Sequence, residues 1–101
     1  MLSRRLTLFI RSTVLTAMLV AAGCTTSPPV QEMSDARQAI TAAKEAGAAE
    51  HAADELDAAV EFLNSAEIYL KNNSFHFARR DAIAAKSKAL DALKLSEADQ
   101  E

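Results

Sequence analysis

The chain of 101 residues has one cysteine, no tryptophan, one tyrosine and two histidines. One cysteine cannot form an internal disulfide, so the fold has to be stable without cross-links. His51 and His76 fall on different predicted elements and neither has a cysteine partner, so we expect no metal site and no cofactor. Because few large aromatic side chains are present, we expect one small core, which leaves room for a binding partner or for self-association.

Acidic side chains are numerous, but they form no catalytic pattern. Asp54 and Glu55 fall at the start of a predicted helix, where acidic side chains interact favourably with the helix dipole. Asp57 and Glu61 fall on the polar face of the same helix. We therefore predict that the protein is not an enzyme.

The first 23 residues have the pattern of an export signal. Arg4, Arg5 and Arg11 precede residues 13–22, which carry no charge. This apolar run is too short to cross a hydrocarbon core of about 30 Å, which needs roughly 20 apolar residues as a helix. It ends in small residues suited to a peptidase, so the pattern predicts a signal peptide over residues 1–23 that is removed on export.

The end of this segment, Val20-Ala21-Ala22-Gly23-Cys24, resembles the bacterial lipobox. The resemblance implies that a diacylglyceryl group is attached to the sulfur of Cys24 and that the chain is cleaved between Gly23 and Cys24. Lipidation also explains why an exported protein has a single cysteine with no disulfide partner. The alternative is a free cysteine that is buried after an ordinary signal sequence. In enteric bacteria, an aspartate after the lipidated cysteine retains a lipoprotein at the inner membrane. Here Thr25 follows the cysteine, so we expect the membrane lipid to anchor the protein to the outer membrane, on the side that faces the periplasm.

The part of the chain from Cys24 onward is distinctly acidic. It keeps all 14 acidic residues and eight of the 11 basic ones, so its formal charge is 8 − 14 = −6. Such a balance argues against nucleic-acid binding, which needs a basic face, and against attachment of the whole body to anionic lipids by charge. The lipid on Cys24 is therefore the expected source of attachment.

The periodicity of small and apolar residues predicts an all-α fold. Residues 24–33 contain Pro28 and Pro29 and predict an extended tether. Ser34 is the expected N-cap of a short first helix, which ends at Gly47 in a left-handed conformation. Residues 48–51 are predicted to form a turn.

Two longer helices are predicted after this turn. The first covers residues 53–71, and the Asn72-Asn73-Ser74 segment then ends it. The second begins at Phe75 and is expected to fray from Ser96. Together they predict an antiparallel hairpin, with the shorter first helix alongside, in a helical domain over residues 34–98. A seam of alanines marks the inner face of the last helix: Ala78, Ala82, Ala85, Ala89 and Ala92.

One set of residues spread over the helical region comprises Asp35-Ala36-Arg37-Gln38-Ala39-Ile40, Ala46-Gly47-Ala48-Ala49, Leu56, Ala59, Ala78, Ala82, Ala85 and Ala89. Through these residues, almost the whole chain after Cys24 resembles the bacterial envelope family called domain of unknown function 4398. The resemblance implies an all-helical envelope module and supplies no catalytic residues. A weaker resemblance, to one tetratricopeptide hairpin, is carried by Phe62, Ala66, Tyr69, Phe75, Ala78 and Ala85, although an ordinary hairpin also needs small residues where helices cross.

Arg79, Arg80 and Phe77 are the candidate residues for contact with a partner. The two arginines form the one basic doublet after Cys24, and they could bind carboxylates of peptidoglycan, phosphates of lipopolysaccharide or an acidic envelope protein. The alternative is a solvated face balanced by Asp81 and Glu67. Phe77 could add an apolar docking patch.

Two functions fit these predictions. The first is a lipid-anchored helical module that binds or supports other parts of the envelope. The alternative is a coiled-coil oligomer that spaces membrane from cell wall and resembles the Braun-type lipoprotein. The Asn72-Asn73-Ser74 break argues against one long coiled coil, so we favour the first.

Overall fold

The computed structural model describes residues 27–100 and contains four helices in this range. The predicted all-α class is confirmed, and no strand occurs among the described residues. The predicted signal peptide and the lipidation and cleavage positions, Gly23 and Cys24, lie outside them. The helices are α1 (Val30–Glu45), α2 (Ala48–His51), α3 (Ala53–Lys71) and α4 (Phe75–Asp99).

Helix α1 begins at Val30, four residues before the predicted N-cap at Ser34, so that prediction is wrong. Pro29 stands at the N-cap position, and its carbonyl accepts a hydrogen bond from the Met33 N–H at 3.0 Å. A proline is tolerated here because the first N–H groups of a helix have no intrahelical partner. Residues 30–33 therefore belong to the helix and not to a tether.

The end of α1 follows the prediction. Gly47 adopts a φ of 87°, which is the left-handed conformation expected of a residue just past a helix. Its carbonyl accepts hydrogen bonds from the N–H groups of Glu50 and His51, both at 3.1 Å. These bonds close one helical turn, so residues 48–51 form the short helix α2, whereas the sequence predicts a non-helical turn there.

Helices α3 and α4 have the predicted starts and are joined by a three-residue turn. Asn73 adopts a φ of 59°, which asparagine tolerates better than most residues. Ser74 stands at the N-cap position of α4, but its hydroxyl makes no capping hydrogen bond. Tyr69 stacks on Phe77 beside the turn, and Leu56 shares a core cluster with Ala89 farther away, so the two helices run antiparallel.

Helix α1 lies against α4 and runs parallel to it. Glu32 pairs with Arg79 near the start of both helices, at 3.2 Å. At the other end, the side-chain amide of Gln100 donates to the carbonyl of Ala46 at 2.6 Å. The first helix is therefore packed alongside the hairpin, as the sequence predicts.

Alanines form the interface where the three long helices meet. All five residues of the predicted seam on α4 are fully buried, as are Ala36 and Ala43 of α1 and Ala59 and Ala66 of α3. Small side chains at these positions let the helix axes approach closely. The seam continues to Ser96, which is also fully buried and donates its hydroxyl to the carbonyl of Ala92 at 2.8 Å. The predicted fraying from Ser96 is therefore wrong, and α4 continues to Asp99.

Candidate functional site

Arg79 joins three parts of the chain through one guanidinium group. Its Nε donates to Glu32 Oε1 on α1 at 3.2 Å, and its Nη2 donates to the main-chain carbonyl of Ser27 at 3.0 Å. Pro29, two residues later, is fully buried. We call residues 27–29 the strap. Arg79 holds the strap and the first turn of α1 against α4.

Arg80 points to the other side of α4 and pairs with its neighbour in sequence. Its Nε donates to Asp81 Oδ1 at 3.0 Å, and its guanidinium carbon lies 5.0 Å from the centre of the Phe77 ring. The hydrogen bond to Asp81 raises the pKa of Arg80, partial burial opposes this, and Tyr69 adds a smaller increase. Arg80 therefore keeps its charge while its side chain stays more than half exposed.

Asp81 is the buried polar residue that organises this side of the hairpin. It is 5% exposed, and its second carboxylate oxygen accepts a hydrogen bond from the Ser65 hydroxyl at 2.6 Å. Both of its oxygens thus have partners, one on α3 and one on α4, which offsets the cost of burying the charge. The sequence predictions assign Asp81 only to balancing the charge of the arginines, not to this buried contact. Asp81 follows Ala78 by three residues and precedes Ala85 by four, and that spacing is a signal of burial.

Phe77 contributes the exposed aromatic surface beside this cluster. Its ring stacks on Tyr69 with centroids 5.3 Å apart, and the ring of His76 meets it edge-on at 5.6 Å. The residue is still 44% exposed. Phe75, two residues earlier, is half-buried, as expected for a side chain at the end of the hairpin.

A shallow groove of about 310 Å³ lies between α3 and α4, and Tyr69, Arg80 and Asp81 are among the residues that line it. Stacking on the rings and hydrogen bonding to Arg80 are the interactions that it offers to a partner. The groove is open to solvent along the hairpin, so it suits an extended or surface-bound partner better than an enclosed small molecule. It is lined by Ala58, Glu61, Phe62, Ser65, Tyr69, Arg80 and Asp81.

The predicted contact residues are thus divided between two surfaces. Arg80 and Phe77 lie together beside the groove, whereas Arg79 faces α1 and the strap. Arg79 pairs with Glu32 and Arg80 with Asp81. Glu67, the other predicted balancing charge, pairs instead with Arg37 at 3.3 Å. The doublet does not form one basic patch.

The histidines lie far apart, as their positions in sequence suggest. His51 Nδ1 lies 3.5 Å from a carboxylate oxygen of Asp99, and His76 lies beside Phe77 at the opposite end of α4. Within residues 27–100, no group of three or more histidine, cysteine or acidic side chains could hold a metal ion.

No helix in the described part of the chain is long and apolar enough to cross a membrane. Comparison of the chain with protein-family models, with curated proteins and with solved structures finds no match. The resemblance to domain of unknown function 4398 therefore rests on the residues quoted above and stays a prediction.

Proposed function

We propose that this protein is a lipid-anchored, non-catalytic helical module of the bacterial cell envelope, attached to the outer membrane through Cys24 and facing the periplasm. The observation that carries the proposal is the order of its segments. An arginine-containing start, an uncharged apolar run and the Val20-Ala21-Ala22-Gly23-Cys24 lipobox precede a folded helical body. Two or three acyl chains hold a protein durably on a membrane, so no spanning helix is needed.

The polar side chains between α3 and α4 support a binding or structural role over catalysis. A catalytic acid or base has to exchange a proton with a substrate. Asp81, the buried carboxylate, is occupied by Ser65 and Arg80, and these bonds join the two helices. Arg80, whose side chain is more than half exposed, lines the groove, and Phe77 is 44% exposed beside it. These two side chains suit recognition of an envelope protein or a peptidoglycan peptide.

The folding of the chain supports a compact module over a coiled-coil spacer. A spacer would use the apolar seam of a long helix to contact other copies. In this protein the alanine seam of α4 is fully buried against α1 and α3 of the same chain. A form that begins at Thr25 and lacks lipid should therefore scatter light as a compact monomer, whereas an elongated trimer would support the spacer.

Cell fractionation tests the proposed location. The full-length chain, expressed in a Gram-negative bacterium, should sediment with outer-membrane vesicles and resist extraction by high salt. The Cys24→Ser variant should no longer remain with the membranes after extraction by high salt. Equal and salt-resistant membrane association of both chains would contradict the proposal.

A further inference from the structure

The strap leaves little chain between the folded body and the proposed lipid anchor. Ser27 is held by Arg79, and the strap continues into α1 through the hydrogen bond from Val30 N–H to the Pro28 carbonyl at 2.9 Å. Cys24 lies three residues before Ser27. Three residues span at most about 11 Å even when fully extended. A lipid on Cys24 would therefore keep Ser27 close to the membrane surface.

One end of the helical body lies beside Ser27. The start of α1 and the start of α4 meet there through Glu32 and Arg79, and the end of α3 joins them through the stack of Tyr69 on Phe77. We call this region the turn end; it comprises Val30, Glu32 and residues 68–80. The opposite end carries α2 and the last residues of α4, joined by the bond from Gln100 to Ala46.

The turn end exposes apolar side chains. Val30 is 68% exposed, Ile68 60% and Phe77 44%. These are three of the six large hydrophobic residues that are exposed in the described chain, and each lies within one helical turn of this end. Exposed apolar side chains beside a lipid anchor are suited to insertion among headgroups and the first part of the acyl chains.

Charge is distributed unevenly along the helical body. The half that contains the turn end, residues 27–37 and 63–86, has five basic and four acidic residues. The other half, residues 38–62 and 87–100, has three basic and nine acidic residues. An anionic membrane surface attracts basic side chains and repels acidic ones, so this distribution favours one orientation of the body.

We propose that the turn end lies against the anionic phospholipid surface that holds the anchor, and that α2 points away from it. The inference rests on the proposed lipidation of Cys24. It sharpens the sequence-based prediction of an acidic body joined to the lipid by an extended, proline-containing tether: the lipid attaches the protein, while the strap and the turn end orient it. The groove beside Phe77 and Arg80 then opens near the membrane surface.

Depth-dependent fluorescence quenching tests this orientation. The lipidated full chain is purified from bacteria and placed in vesicles of phosphatidylethanolamine and phosphatidylglycerol that carry nitroxide-labelled headgroups. Asn72→Cys and Ala49→Cys each add one exposed thiol for a fluorophore, at the turn end and in α2. Because lipid occupies the sulfur of Cys24, the new cysteine is the only free thiol. We expect loss of fluorescence at position 72 and none at position 49.

The same samples separate the two proposals. If labelled palmitate is incorporated but quenching is equal at the two positions, the orientation is overturned and the anchor is not. The turn end would then be a surface for contact with a protein or with peptidoglycan. Absence of palmitate would overturn the anchor and the orientation together.

The strap supplies a matched pair of variants. Arg79→Gln breaks the bond to Ser27, whereas Arg37→Gln removes another ion-paired arginine from the same half of the body and leaves the strap intact. Arg79→Gln should reduce the difference in quenching between positions 72 and 49, and Arg37→Gln should preserve it. Equal effects of the two variants would contradict the role of the strap.

Discussion

Arg79 donates a hydrogen bond to the main-chain carbonyl of Ser27, 52 residues earlier in the chain, at 3.0 Å. The same guanidinium pairs with Glu32, so one side chain connects α4 to both the strap and α1. The sequence predicts a tether over residues 24–33, but Arg79 holds Ser27 against α4 and residues 30–33 belong to α1. The described folded structure begins at Ser27, three residues after Cys24, and the proposed orientation of the body rests on this short separation.

Removing this contact should cost little stability. Arg79 and Glu32 are both about one-third exposed, and partly exposed ion pairs contribute modestly. We expect Arg79→Gln to lower the free energy of unfolding by about 0.5–1.5 kcal/mol, because a hydrogen bond to a main-chain carbonyl is lost as well. Urea denaturation measures this. Arg37→Gln, whose pair is more exposed, should cost less, and a larger loss for Arg37→Gln would contradict the assignment.

Asp81→Ala should destabilise the hairpin between α3 and α4. The substitution leaves the Ser65 hydroxyl without its 2.6 Å partner, and an unsatisfied, partly buried polar group costs about 1–3 kcal/mol. Asp91→Ala is the matched control because Asp91 is exposed on the same helix. It should change stability by less than about 0.5 kcal/mol. Equal losses in thermal or urea unfolding would show that Asp81 has no special structural role.

Ala85→Leu should disrupt the alanine seam. Ala85 is fully buried, and a larger side chain forces the helices apart at a cost of about 1–3 kcal/mol. Ser87→Leu adds a leucine to the exposed face two residues later and should be nearly neutral. Urea unfolding of both variants measures the difference. A neutral Ala85→Leu would mean that the helices are not closely packed at this position.

Local patterns in the sequence were sufficient to predict most of the fold. The spacing of alanines predicts the inner face of α4, and Gly47 marks the end of α1 because glycine readily adopts positive φ. The start of α1 was predicted wrongly because Pro28 and Pro29 break a helix interior, yet Pro29 stands just ahead of the first turn. The polar residues from Ser96 onward predict fraying, but the Ser96 hydroxyl donates to the Ala92 carbonyl of its own helix and the residue is buried.

The arrangement of the candidate site could be predicted only in part. Successive side chains of an α-helix point about 100° apart, so the sequence alone indicates that Arg79 and Arg80 face different sides of α4. What those surroundings are depends on contacts far apart in sequence. Glu32 and Ser27 reach Arg79 only when α1 lies parallel to α4, and Ser65 reaches Asp81 only in the antiparallel hairpin. No local pattern contains this information.

Incorporation of labelled palmitate is the measurement that tests the proposed anchor most directly. Cells that express the full chain are grown with the label, and the protein is isolated and compared with its Cys24→Ser variant. We predict that the original chain carries the label and that the variant does not, because Cys24 is the only thiol in the sequence. Equal labelling of the two chains, or no labelling of the original chain, would contradict the account.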